Sequence, residues 1–275
     1  MSRQLTTAAG TTTRPPDTIV ACTLLVLAGL AWAGTAQMAA PDMRRGLLTG
    51  AGSGSSMSSD SMSTMALDVS VVAIALFLLT WMVMMAAMML PAVAPVVAVF
   101  DGWVRRTGRS RWATVAFVGG YLLAWSLTGL VAYGAVAYFQ SLVPSGRAAL
   151  RLGGALLILA GAYQLSPLKR VCLTHCRTPM QFVARHATRL RQGGASAARV
   201  GALHGLYCLG CCWALMMVLV LVGVMNVAWM ALVAAVIFAE KVLRQGALVA
   251  RAVSVLLVVA GVAQVLSPHA LPSLA

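Results

Sequence analysis

The residues able to do chemistry gather in the stretch GALHGLYCLGCCWALMM, residues 201–217. Spacings of three and four residues share one face of an α-helix, so His204, Cys208, Cys211 and Cys212 form a single stripe. Thiols with an imidazole make a soft-metal site or a redox site. Free cysteine also packs as a small hydrophobe, but three on one face with a histidine a turn earlier are the raw material of a metal site. A second group stands at residues 172–179, CLTHCRTP, where Cys172, His175 and Cys176 make half a metal site or an ordinary loop. Five methionines fall between Met82 and Met89, and Met85, Met88 and Met89 share a face. Thioethers suit Cu(I), although a methionine stripe also fills cores and helix contacts. Glu240 is the sole acid of the last three apolar runs. It is open to three roles: ligand, proton acceptor, or interfacial partner of Lys241.

The elements that must position these groups are membrane helices. The chain has 275 residues, 60% hydrophobic and only 9% charged, with a mean hydropathy of +0.88. Soluble domains carry about 25% charged residues. The apolar runs are long and uninterrupted, which excludes a barrel of alternating strands. A net charge of +14 reports arginine-rich loops against anionic lipid, with no aromatic-interleaved basic patch to suggest nucleic acid. The bilayer and a metal ion are therefore the expected partners.

The chain reads as an all-α polytopic membrane protein of about seven transmembrane helices. Residues 1–17 are a polar cytoplasmic N-terminus and 18–38 the first span. Residues 39–66 form an outer Met/Ser-rich loop, in which Met57, Met62 and Met65 offer thioethers, though the plain-linker reading is preferred. Residues 67–275 hold a six-helix core, with spans near 67–100, 112–139, 148–168, 205–225, 227–240 and 247–266. The first of these exceeds the length needed to cross and is expected to tilt, or to break at Pro91 and Pro95. Gly119, Gly120, Ser126, Gly129 and Gly134 offer close helix contacts in the next. A cytoplasmic loop rich in Cys and Arg covers residues 169–204, its basic part forming an interfacial amphipathic helix.

With the N-terminus inside, all of the 20 Lys and Arg residues except Arg44, Arg45, Arg147 and Arg151 fall on the inner side. The positive-inside rule selects that direction and leaves the C-terminus outside. Cys172, Cys176, the stripe and Glu240 then converge on the cytoplasmic side of a bacterial inner membrane, where thiols stay reduced. The segments AGAYQLSP (160–167) and AGVAQVLSP (260–268) also match three spans apart, as a 3+3 inverted repeat after an extra first helix would require.

The blocks WMVMMAAMMLPAVAP, CLTHCRTP, HGLYCLGCCWALMM, GVMNVAWM and the EK ending the sixth span resemble a bacterial family labelled predicted metal-binding integral membrane protein. The resemblance covers about residues 67–241, and its CLGCCW block is the most specific part. It implies metal ligands at Cys172, Cys176, His204, Cys208, Cys211 and Cys212, supported by Met85, Met88, Met89 and Glu240.

The preferred reading is a membrane protein that binds a soft metal, Cu(I) before Zn(II), for transport or delivery, with a soluble metal carrier or a second copy of the chain as partner. Nothing in the sequence suggests pumping by ATP: it has no GxxxxGK[ST] loop and no large soluble domain. Two alternatives stand beside it. One is a membrane thiol oxidoreductase working Cys208, Cys211 or Cys212 against Cys172 or Cys176, with Lys169, Arg170 and Arg177 as activating charges. The other is a non-catalytic membrane subunit.

Overall fold

The structure, a computed structural model, describes residues 18–38, 71–142, 147–190, 193–222 and 226–267. The loop methionines Met57, Met62 and Met65 lie outside the described residues. The helices are α1 (Thr18–Met38), α2 (Val71–Arg106), α3 (Trp112–Leu142), α4 (Arg147–Gln164), α5 (Pro167–Arg177), α6 (Pro179–Leu190), α7 (Gly194–Val222), α8 (Val227–Val242) and α9 (Gly246–Leu266). Among the described residues there are no strands. Large apolar side chains such as Leu30, Leu79, Leu123, Val131, Leu232, Leu256 and Val259 face outward. A surface of that kind suits lipid tails rather than water.

Among the described residues five helices, α1, α2, α3, α7 and α9, are long and apolar enough to cross a membrane, and the bent pair α4 and α5 passes the same test when taken together, as a broken span or a re-entrant pair. Of the seven spans expected, α8 falls short. Its 16 residues reach about 24 Å, less than the ~30 Å hydrocarbon core. Of the two expectations for the long second span, tilt or a break, the break does not occur: α2 stays helical through Pro91 and Pro95. Tight burial on both sides of the prolines, from Met84 to Leu90 and from Val96 to Val97, holds the helix together.

The loop expected over residues 169–204 is helical for most of its length. Ser166 is extended, and its side chain accepts from the backbone N–H of Lys169 at 3.1 Å. Pro167 follows at the first helical position, where its missing N–H costs nothing. A serine cap before a proline thus ends α4 and starts α5 at a 59° bend. The bend turns Cys172, Leu173 and Cys176 inward. Arg177 then ties the end of α5 to the end of α8, donating to the carbonyls of Leu243 at 2.6 Å and Arg244 at 3.2 Å. The amphipathic helix expected in the basic segment is α6, which buries Phe182, Val183 and Leu190 and leaves Arg185 and Arg189 exposed.

Two helix pairs set the frame. Helices α3 and α7 run side by side in the same direction, with Gly120 against the backbone of Ala198, Gly201 against Phe117 and Gly205 against Tyr121. A Cβ at Gly201 would collide with the carbonyl of Phe117, so only glycine permits this approach. Of the glycines expected to make close contacts, Gly120 and Gly129 do, while Gly119 and Gly134 face open space. Helices α4 and α9 run antiparallel, and here the two similar segments meet. Gly161 lies against Ser254 and Val258, and Gly261 lies against Gly154 and Ile158. Positions one hundred apart exchange contacts, as a two-fold axis between the two helices produces. Ser254 adds a hydrogen bond to the Gly161 carbonyl at 2.7 Å.

Candidate metal centre

Helix α7 begins at Gly194 rather than near residue 205, so the cysteine stripe lies midway along a helix of 29 residues. His204, Cys208, Cys211 and Cys212 are all buried, as the shared face requires. Helix α5 crosses over this face and brings Cys176 Sγ to 3.9 Å from Cys211 Sγ. Cys172 fits beside the same helix because Gly210 has no side chain there. The thiols of Cys211 and Cys212 both donate back to the Cys208 carbonyl, at 3.0 and 2.9 Å. All six cysteines are free, and Cys22 stands apart, exposed on α1.

Cys208 has partners that spacing alone did not reveal. Lys241 Nζ donates to its sulfur at 2.9 Å, and Tyr121 Oη lies 3.1 Å away. Lys241 is buried, so its amino group donates into the thiol cluster from within the bundle. The charges expected to activate the thiols are occupied elsewhere. Lys169 pairs with Glu240, and Arg177 holds the end of α8. One signal did point to Lys241: it is half of the Glu-Lys pair closing an otherwise uncharged helix. Tyr121 left none beyond its place one turn after Phe117.

His204 is packed among the rings of Phe117, Tyr121 and Phe182, with centroids 6.2, 6.1 and 4.9 Å away. Its Nδ1 is buried without a hydrogen-bond partner. An orphaned imidazole nitrogen is costly unless something else takes its lone pair or proton. His175 instead stacks on Tyr207 at 4.2 Å, and its Nδ1 faces the Val171 carbonyl, so the CxxHC segment contributes its two cysteines and not its histidine to the interior.

Met85, Met88 and Met89 belong to the same buried core as Cys172, Cys176, Cys208, Cys211 and Cys212. Met82 sits nearer the edge, with Ser126 Oγ donating to its sulfur at 2.8 Å. Glu240 is turned away from the thiols. Its Oε2 accepts from Lys169 Nζ at 2.7 Å and its Oε1 from Gln164 Nε2 at 3.3 Å, while Lys169 also donates to Gln164 Oε1. Among the described residues, no three Cys, His, Asp or Glu side chains stand arranged to hold a metal ion. What the structure does offer is a buried pair of facing thiols, a third sulfur held by a lysine, and an unpartnered imidazole beside them.

A family model described as PpoB2, copper chaperone, matches residues 78–264. The chain belongs to that family. The match begins within α2, ends near the end of α9 and leaves α1 outside; it starts later than the resemblance in the sequence blocks and reaches further toward the C-terminus. No curated protein and no solved structure matches.

Proposed function

We propose that this chain is a membrane copper chaperone that takes up Cu(I) between Cys176 and Cys211 and passes it on. The observation that carries this is the 3.9 Å sulfur–sulfur approach across two helices in a buried site. Two soft sulfurs at that spacing can both reach one ion at about 2.3 Å, the zinc–sulfur length, as a bent pair. Cu(I) is content with few soft ligands, whereas closed Zn(II) sites want four. Cys208, Cys212 and the free Nδ1 of His204 stand ready as exchange ligands, and Cys172 and the buried thioethers of Met85, Met88 and Met89 line the surroundings. Glu240 drops out of the ligand set, since Lys169 and Gln164 occupy its oxygens.

Transfer to a carrier or a second copy would proceed from the end where α5, α6 and α8 meet. The excess of arginine at that end supports its placement in the cytoplasm with the N-terminus inside, and the C-terminus then lies outside provided that the short α8 crosses as the seventh span. The inverted repeat belongs to the same reading, supported by the reciprocal contacts of α4 and α9. Reporters fused after Ala275 and near Gly193 should read extracytoplasmic and cytoplasmic; a swap of the two would put the thiols on the other face.

The decisive measurement is copper content of the detergent-purified chain. Wild type loaded with Cu(I) should retain it, and Cys176→Ser and Cys211→Ser should each lose it. The same thiol pair favours one competing reading, a thiol oxidoreductase, because closing a Cys176–Cys211 bond needs only a modest approach. Metal-free protein whose mobility shifts on oxidation, with the shift abolished by Cys176→Ser, would establish that reading and overturn the copper site.

A further inference from the structure

The end of α6 and the start of α7 enclose a cavity of about 250 Å³, lined by Arg189, Ser196, Arg199, Val200 and Leu203. Gly193, at a φ of 122° that suits glycine, lets α7 start beside the end of α6. Two hydrogen bonds fix the walls. Ser196 Oγ donates to the Arg189 carbonyl at 2.6 Å, and Arg109 Nη1 donates to the Leu190 carbonyl at 2.7 Å. Both carbonyls are thereby satisfied, and a third arginine is anchored one residue from Arg189.

Arginines thus reach this place from three segments, and no carboxylate answers them. Among the described residues the carboxylates are Asp101 and Glu240, both buried and paired with Arg105 and Lys169. Neither Arg189 nor Arg199 has an ion pair among the described residues. Two guanidinium forks on one small cavity select an anion, and the planar fork matches phosphate. The volume is below the ~300–1,000 Å³ of sites that enclose a drug-sized ligand, so it suits a headgroup whose remainder lies outside. Along α7, Leu203 and Leu206 follow Arg199 on one face at helical spacing, and Leu206 is exposed. A cationic end with an apolar track leading into the span fits a phospholipid better than free phosphate.

We propose that Arg189 and Arg199 clamp the phosphate of a net-anionic phospholipid, its acyl chains lying along Leu203 and Leu206. One bound lipid thereby ties α7 to α6, the helix whose Phe182 packs edge-on against His204 at 4.9 Å.

The full chain in nanodiscs of equal parts phosphatidylglycerol and phosphatidylcholine, read by native mass spectrometry, tests this. Wild type should retain one phosphatidylglycerol in about tenfold preference, because the choline of the other lipid meets two cations. The double variant Arg189→Gln, Arg199→Gln should level the two lipids. A control, Arg106→Gln with Arg244→Gln, removes the same charge from exposed residues that do not line the cavity, and the preference should survive it. Equal retention by wild type would overturn the assignment. So would a preference that persists in the cavity variant, or one that falls as far in the control, which would mark diffuse surface charge. Displacement of the bound lipid by excess inorganic phosphate would assign the cavity to the free anion and overturn the lipid. The wild-type comparison decides the matter even if a variant fails to fold.

Discussion

Glu240 and Lys241 are neighbours in sequence near the end of one short helix, and their side chains enter two different buried clusters. Glu240 meets Lys169 and Gln164, which flank the bend between α4 and α5, and each charged group there has its complement. Lys241 meets Cys208, in a cluster that keeps a partnerless imidazole nitrogen and several thiols within reach of each other. Adjacent residues on a helix point about 100° apart, so one turn of α8 serves both. A closed polar network fixes geometry, whereas an incomplete one is poised to take a ligand. On the proposed reading, the contrast separates a structural carboxylate cluster from a thiol cluster open to copper.

The largest effect should fall on copper binding through the facing thiols. Cys211→Ser is expected to weaken Cu(I) binding more than about 100-fold, beyond the 10–100-fold typical of outer-shell changes. Competition against a chelator of known affinity measures it. Met88→Leu should weaken binding far less, since an uncharged thioether in the surrounding core is a weaker ligand than either thiol of the pair. Equal losses for the two variants would dissolve the distinction between ligand and lining.

The carboxylate cluster should respond in stability instead. Glu240→Leu leaves Lys169 charged and buried without an opposite charge, at a cost of about 3–5 kcal/mol. The double variant Glu240→Leu, Lys169→Met should recover most of that loss, because a well-packed apolar pair replaces a buried ion pair at little penalty. Denaturant unfolding in detergent reads both, and copper per folded chain should stay at the wild-type level. A copper deficit in the stable double variant would return Glu240 to the ligand set.

Lys241→Met tests the other side of the helix. Cys208 then loses the amino group that donates to its sulfur, and Cu(I) affinity is expected to fall about 10–100-fold. Stability should change much less than in Glu240→Leu, since a thiol can stay neutral where a carboxylate's partner ammonium cannot. If Lys241→Met instead unfolds the chain, both clusters are structural and the contrast fails.

Much of this arrangement was legible in the sequence. Apolar run length marked the membrane helices, and spacing at three and four placed His204, Cys208, Cys211 and Cys212 on one buried face. The serine before Pro167 was a bend signal hidden by treating residues 169–204 as loop, and the bend is what carries Cys176 to Cys211. The partners of Glu240 and Lys241 were beyond reach, because they depend on how α5 crosses α7 and α8. That crossing is tertiary: Gly210 makes room for Cys172 and Arg177 grips the end of α8, and neither choice leaves a periodic trace. The prolines of α2 misled in the opposite sense, since burial around them outweighs the lost backbone hydrogen bonds.

The smallest expected effect sharpens what kind of unit the carboxylate cluster is. Gln164 donates to Glu240 Oε1 at 3.3 Å and accepts from Lys169, bridging a pair already joined at 2.7 Å. Gln164→Leu removes both bridging bonds but leaves each charge facing its opposite. Neutral hydrogen bonds contribute about 1 kcal/mol and those to charged groups about 1.5–3 kcal/mol, less where the remaining partner still satisfies the group. Interhelical polar contacts in membranes average nearer ~0.6 kcal/mol. A loss of about 1 kcal/mol in detergent unfolding, with copper affinity unchanged, is therefore expected. A loss as large as that of Glu240→Leu would mean that the three side chains act as one cooperative network. The bend at Ser166 would then be held by Gln164 as much as by the ion pair, and copper affinity should fall with it, because the same bend sets the distance from Cys176 to Cys211.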